Sequence, residues 1–152
     1  LDRYVGLPWK IGGRELHGGI DCWGLVRLAL RDEAAILLPS WEDDPDARAA
    51  FCRERCRAFE RHLDAFEPVA AGQERVFDVA GFFLGGALWH VGLLVELPSI
   101  ILHIEDDGGS ICEDWRQRPD LRRQFGGQVI GGALGNGVEI DGEVGGYWRA
   151  RV

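Results

Sequence analysis

The chain has 152 residues, of which 46% are hydrophobic, and this length and apolar content fit one compact domain over residues 1–152. Its 25 acidic and 17 basic residues give a formal net charge of -8, which disfavours binding to a nucleic-acid backbone. The apolar run from Val91 to Leu102 is interrupted by Glu96 and Pro98, so no membrane span is expected. Partners should therefore be neutral, cationic or protein.

The first predicted element is an amphipathic helix from Cys22 to about Glu33. Apolar residues recur there at three- and four-residue steps, while arginines and acids take the other side. Asp21 is a favourable N-cap residue, and the preceding "HGGI" cannot continue a helix. Cys22 is therefore expected in the first helical turn.

A second helix is predicted from Asp44 to about Phe66, because Pro45 suits the first helical position. Its apolar stripe contains Cys52, Cys56, Phe59, Leu63 and Phe66. The two cysteines on that stripe are interpreted as core packing, and their spacing differs from that of zinc ligands. We expect all four cysteines, including Cys22 and Cys112, to be free thiols, and we expect no metal site.

The second half of the chain predicts an antiparallel sheet, which makes the fold class α+β. Four strand segments follow one another with short turns between them: "RVFDVAGFFL", "ALWHVGLLVEL", "IILHIED" and "SICEDW". A glycine-rich segment, about 126–146, suits irregular loops or a hairpin. The closing "GYWRARV" is expected to return as an edge strand.

Cys22 is a candidate nucleophile because the start of a helix favours a thiolate over a thiol. A nucleophile also needs a base, and His90 lies in a predicted strand on the face that carries Gly92 and Leu94. A four-residue connection after Val95 would place His103 on the same face, roughly 7 Å from His90. His103 could then orient His90. The alternative, a buried small Cys22 and packed histidines, stays open at this point.

Several segments, in order, resemble the NlpC/P60 family of papain-like cysteine peptidases, which cleave cell-wall peptides. The segment "GLPWKIGG" looks like the family's G-x-P-Y-x-x-G-G approach, and "DCWGLV" like its D-C-S-G-L-V nucleophile segment. The strand "HVGLLV" is similar to its H-V-G-I base strand, and "LHIED" to the strand of its third polar residue. Together these matches span most of the chain from Tyr4 to Asp114.

The resemblance implies a papain-like fold in which N-terminal helices pack on the sheet that carries the histidines. It implies Cys22 as nucleophile, His90 as base and His103 as the orienting residue, with the Cys22 backbone amide in the oxyanion hole. The implied reaction is hydrolysis of peptide bonds in peptidoglycan stem peptides, with no cofactor.

The resemblance also implies a substrate site at Asp21, Trp9 and Trp23. Trp9 and Trp23 stand where many family members have Tyr and Ser, whose polar groups help the Asp to hold the substrate. The resemblance therefore supports catalysis more strongly than the family's usual γ-D-glutamyl specificity.

The form "PW…GG…DCWGLVR" is most similar to the family's subset in tailed phages and phage-derived gene transfer particles. The expected partners are therefore peptidoglycan peptides and tail or baseplate proteins. We expect synthesis in the cytoplasm without a signal peptide, and action at the cell wall from a phage-like tail tip. Two alternatives stay open, a structural baseplate protein with little or no activity, and an acyltransferase or lipid amidase on the same fold.

Overall fold

A computed structural model describes residues 1–38, 65–84, 87–125 and 146–151. These residues form an α+β arrangement, as predicted. In chain order the elements are a 3-10 turn at Asp2–Tyr4, helix α1 at Cys22–Ala34, strands β1 at Phe66–Val69, β2 at Val79–Leu84, β3 at Ala87–Glu96, β4 at Ile100–Glu105 and β5 at Gly109–Asp114, a 3-10 turn at Trp115–Gln117, helix α2 at Pro119–Gln124, and strand β6 at Tyr147–Ala150.

The strands form one antiparallel sheet with the order β1-β6-β2-β3-β4-β5. The predicted succession β2 to β5 is confirmed, because adjacent apolar strands with short turns pair with their neighbours in sequence. The prediction of β6 as an edge strand is wrong. β6 lies between β1 and β2 and pairs with both.

The predicted second helix cannot extend to Phe66, because Phe66 begins β1 and pairs with Ala150 of β6. Phe66 and Val69 are both buried and pack in the clusters on opposite faces of the sheet, as residues three apart in a strand do. The rest of that helix, with Cys52 and Cys56, falls outside the described residues. The glycine-rich segment, apart from Gly146, also falls outside the described residues.

Helix α1 begins and ends within a residue of its predicted bounds. Asp21 caps it, since its side chain accepts a hydrogen bond from the backbone N–H of Gly24. At the other end Ala35 adopts a left-handed conformation, and its N–H donates to the Leu30 carbonyl. The apolar stripe of α1 packs on strands β3 and β4.

The sheet has two buried faces with different contents. One face packs against α1 through Val91, Leu93, Leu102 and Ile104. The opposite face carries His90 and His103 and is covered by an apolar cluster from several elements, Ala80, Phe82, Leu94, Ile101, Trp115, Leu121 and Tyr147. Within the described ranges, no helix is long and apolar enough to cross a membrane.

Two β-bulges adjust the predicted side-chain alternation in β3. The register Leu93 with Leu102 is the predicted one, whereas Ile100 pairs with Glu96 instead of Val95, because a bulge intervenes. A second irregularity lies between the pairs Phe82–His90 and Phe83–Leu88, where Trp89 is the extra residue of β3 and packs with the cluster on the His90 side of the sheet. The bulge changes the side to which Trp89 points.

Candidate active site

Cys22 is the first residue of α1, and its side chain is 4% exposed. Cys22 is not part of a disulfide, and it belongs to the same apolar cluster as Val91, the residue that follows His90 in β3. Because Cys22 is the first residue of the helix, its backbone N–H points out of the N-terminal end, which is the positive end of the helix dipole. The predicted helix start at Cys22 is confirmed.

Asp21 ties the approach segment to the start of α1. Its Oδ1 accepts from Gly24 N at 2.8 Å, and its Oδ2 accepts from Gly12 N at 3.0 Å. Arg14 forms an ion pair with the same Oδ2 at 2.7 Å, with the Asp21 side chain buried and the Arg14 side chain 11% exposed. The carboxylate that was predicted to contact substrate is therefore already bound to three groups of the chain itself.

The paired glycines of the approach allow the backbone to pass very close to α1. A Cβ atom on Gly24 would clash with the carbonyl oxygen of Gly13, and one on Gly13 would clash with backbone atoms of Gly19 and Ile20. Glycine is therefore required at 13 and 24 by close packing, and this contact explains the "GG" and "G" of the two motifs.

His90 and His103 form a direct imidazole pair. His90 Nε2 lies 3.0 Å from His103 Nδ1, with the ring centroids 5.3 Å apart and the planes at 73°. The pair follows from the register, since Leu93 pairs with Leu102 on the α1 face, and the next positions along the two strands, Gly92 and His103, lie on the opposite face with His90. A Cβ on Gly92 would lie 3.2 Å from His103 Cβ, so Gly92 gives the second imidazole its space.

Aromatic side chains surround the imidazole pair on the buried face. The rings of Phe82 and Trp89 lie 5.6 and 5.7 Å from His90, centroid to centroid. Trp89 Nε1 donates to Gln124 Oε1 of α2 at 2.9 Å, which holds the indole beside the pair. His103 is 0% exposed, so its hydrogen bonds form in a medium of low polarity, where they are strong.

The second nitrogen of His103 contacts a carboxylate that the sequence analysis did not single out. His103 Nε2 lies 2.8 Å from Glu113 Oε1, and Arg118 Nη1 donates to the same oxygen at 2.8 Å. Arg118 also binds Glu105 and Asp120. Hydrogen bonds to Asp120 and Glu105 raise the pKa of Arg118, and the guanidinium in turn lowers the pKa of Asp120.

The two predicted tryptophans have different environments. Trp23 is 2% exposed and packs edge-on against Phe66, at 6.0 Å between ring centroids, so its side chain lies in the core. Trp9 is half-buried and packs against the same core, and its backbone forms an isolated parallel β-bridge with Ile20. A substrate-binding role for either ring stays a prediction. The burial of Trp23 favours an indirect effect on the substrate site, through packing in the core, over direct contact with the substrate.

Cys112 lies on β5, packed against the same apolar cluster that contains Cys22, and burial raises the pKa of its thiol. It is a free thiol, as predicted, whereas Cys52 and Cys56 fall outside the described residues. Among the residues that the structure describes, no group of three or more His, Cys, Asp or Glu side chains is arranged to hold a metal ion.

The fold is similar to that of a solved cell-wall enzyme domain. The structure is the NlpC/p60 domain of the peptidoglycan hydrolase SagA, with a TM-score of 0.53 and 15% sequence identity. The alignment covers 77% of this chain and 85% of that domain. No family model and no curated protein sequence matches the chain. The likeness confirms the expected α+β fold with an antiparallel sheet, broadly that of an NlpC/p60 domain.

Proposed function

We propose that the chain is a cysteine peptidase or amidase that hydrolyses peptide bonds in peptidoglycan stem peptides, with Cys22 as nucleophile and His90 as base. The observation that carries the proposal is the buried His90–His103 pair in a fold similar to that of an NlpC/p60 domain. Helix α1, which begins at Cys22, packs on β3, the strand of His90. The proposed nucleophile, base and orienting residue thus come from neighbouring elements, and covalent acyl transfer requires the Cys22 thiol to lie within hydrogen-bond reach of the His90 imidazole.

The chemistry assigns one step to each group. The Cys22 thiolate attacks the peptide carbonyl carbon, and the negative charge that develops on the carbonyl oxygen is stabilised by the Cys22 backbone amide. The C–N bond breaks as protonated His90 gives its proton to the leaving amine, and a thioester to Cys22 remains. A water molecule, deprotonated by His90, then attacks the thioester and releases the carboxylic acid.

The test is digestion of purified peptidoglycan, followed by mass spectrometry of the released peptides. We expect the wild-type chain to release fragments with new amine and carboxyl ends, and Cys22→Ser to release none, because the hydroxyl is a far weaker nucleophile. Cys22→Ser should keep its thermal midpoint, since the change is nearly isosteric. A matched control, Cys112→Ser, should leave the release rate unchanged. Equal release by wild type and Cys22→Ser would refute the proposal.

We also propose that the chain works in a phage-like tail tip and reaches the cell wall as part of that assembly. The support is the form of its motifs, which is most similar to the tail-associated subset of the family. Mass spectrometry of purified particles tests this assignment: we expect the chain among the tail proteins, and particles without it would contradict the assignment.

A second candidate is a structural baseplate protein that retains the fold. One observation favours it: the Asp21 carboxylate, predicted to contact substrate, is bound by Arg14 and two backbone amides. This candidate predicts assembly without turnover. Particles that carry Cys22→Ser discriminate between the candidates, because they should assemble in either case but lose wall penetration only if the chain is an enzyme.

A further inference from the structure

The hydrogen-bonded chain that begins at His90 continues beyond His103 to the end of β5. In the β4–β5 register His103 pairs with Ile111, and Glu113 is two residues further along β5. The side chains of His103 and Glu113 are therefore on the same face of the sheet. Nε2 of His103 lies 2.8 Å from Oε1 of Glu113. The Glu113 side chain is 22% exposed, whereas the imidazole that it contacts is fully buried.

Glu113 is held in place by a guanidinium. Arg118 Nη1 donates to its Oε1 at 2.8 Å, while Arg118 Nη2 reaches Glu105 at 3.1 Å and Asp120 at 2.8 Å. Arg118 has no acceptor group, so it enters each of these contacts as the donor. Three carboxylates thus position one guanidinium, which in turn positions the oxygen that faces His103.

These contacts determine where the protons of both imidazoles lie. An ionised Glu113 only accepts, so His103 donates through Nε2–H. A neutral His103 with its proton on Nε2 has a lone pair on Nδ1, and His90 must then donate to it through its own Nε2–H. The unprotonated nitrogen of His90 is therefore Nδ1, which can accept a proton.

We propose that Glu113, held by Arg118, is a positioning residue that sets the tautomers of His103 and His90 and so makes Nδ1 of His90 the basic nitrogen. The catalytic consequence rests on the proposed function, in which His90 takes and returns a proton. The tautomers themselves do not depend on it. A carboxylate behind a histidine commonly has this role at metal and nucleophile sites.

The experiment measures the ¹⁵N shifts of the imidazole nitrogens by NMR at a pH where both rings are neutral. The other two histidines are assigned with the variants His17→Asn and His62→Asn. We expect both His90 and His103 to carry the proton on Nε2 in the wild type. A proton on Nδ1 of either ring in the wild type overturns the proposal before any substitution at Glu113 is made.

Two substitutions at Glu113 separate the loss of its acceptor oxygen from the loss of its negative charge. Glu113→Met removes the acceptor, so we expect His103 and His90 to shift their protons toward Nδ1 and kcat to fall about 10-fold or more, with KM little changed. Glu113→Gln keeps an acceptor oxygen and should retain most of the wild-type tautomers and rate. Glu105→Gln is the matched control, because Glu105 contacts Arg118 but not His103. Asp120 still holds Arg118 in this variant and Glu113 keeps its charge, so the tautomers should be unchanged.

The outcomes distinguish this proposal from the proposed function. Unchanged tautomers in Glu113→Met would overturn the role of Glu113, whether or not the chain hydrolyses peptidoglycan. The expected tautomer shift in a chain that never releases peptide would support Glu113 and refute the hydrolase. If Glu113→Met does not fold, the wild-type tautomers and Glu113→Gln still decide the matter.

Discussion

The Nε2 atom of His90 lies 3.0 Å from Nδ1 of His103 across two antiparallel strands, and both rings are buried. A pair of imidazoles in direct contact can hold only one proton between the facing nitrogens, so the tautomer of one ring sets that of the other. The pair therefore makes His90 sensitive to every group that contacts His103.

Removal of the second imidazole should reduce catalysis more than it reduces folding. In His103→Ala, Nε2 of His90 loses its partner, and we expect kcat for peptide release to fall about 100-fold or more. His103→Asn offers an amide oxygen to His90 and should recover part of the rate. Circular dichroism confirms that each variant is folded. A folded His103→Ala with wild-type kcat would remove His103 from the site.

Gly24→Ala should destabilise the fold although alanine favours helices. The new Cβ would clash with the Gly13 carbonyl oxygen and lie 2.9 Å from Ile20 Cγ1. Backbone cannot yield as a flexible side chain can, so we expect the free energy of unfolding to fall by about 1–3 kcal/mol in urea titrations. Gly108→Ala, where a Cβ meets nothing within 4 Å, is the control and should be nearly neutral. Equal stabilities of the two variants would contradict the close approach.

The Asp78–Arg149 ion pair should stabilise the fold by holding β6 beside β2. Asp78 is 2% exposed and accepts from Arg149 Nε and Nη2, each at 2.9 Å, as well as from the Arg75 amide. Asp78→Asn leaves the guanidinium without its counter-charge.

Because Arg149 is 28% exposed, we expect the free energy of unfolding of Asp78→Asn to fall by about 3 kcal/mol, at the low end for a buried pair. Chemical denaturation measures the change, with Asp107→Asn in an exposed turn as the control. A loss no larger than that of the control would show that other contacts hold β6.

The two tyrosines predict a loss of stability at alkaline pH. Burial raises the pKa of Tyr4 and of Tyr147 to about 12 in each case, with the Asp32 carboxylate adding to the effect on Tyr4. Unfolded tyrosines titrate near pH 10, so above that pH the unfolded chain loses protons that the folded chain keeps. Stability should therefore decrease as the pH rises from about 10 to about 12.

Absorbance of phenolate measures this directly, because the chain contains only 2 tyrosines. We expect the native chain to show little phenolate at pH 11 and the urea-unfolded chain to show nearly complete ionisation there. Ionisation of the native chain with a midpoint near 10, without unfolding, would show that the two phenols are accessible to water.

Local patterns predicted the elements that bring the site together. The three- and four-residue steps after Asp21 predicted α1 because a helix with one buried face needs that periodicity. The strands around His90 and His103 were predicted from their β-branched residues and turns, and the length of the connection between them predicted the face of His103. In each case the interacting residues are close in sequence.

The remaining features depend on contacts between distant segments. β6 lies between β1 and β2 because Tyr147 and Trp148 pair with β2, and no local pattern reports such an insertion. Arg14 and Asp21 pair across a loop of glycines. Arg118 precedes a short helix in an irregular segment, where periodicity carries no signal. Glu113 was detectable in principle, since it follows two residues after the partner of His103.

The most direct test of Cys22 as an activated nucleophile compares two cysteines of one chain. The folded protein is treated with limiting iodoacetamide at pH 6, and the modification of each cysteine is followed by peptide mass spectrometry. Cys112 is the internal reference, because burial raises the pKa of its thiol and so suppresses the reactive thiolate. We expect Cys22 to react at least 10-fold faster than Cys112, and to lose that advantage in His90→Ala. A Cys22 that reacts no faster than Cys112, or as fast without His90, would contradict the account.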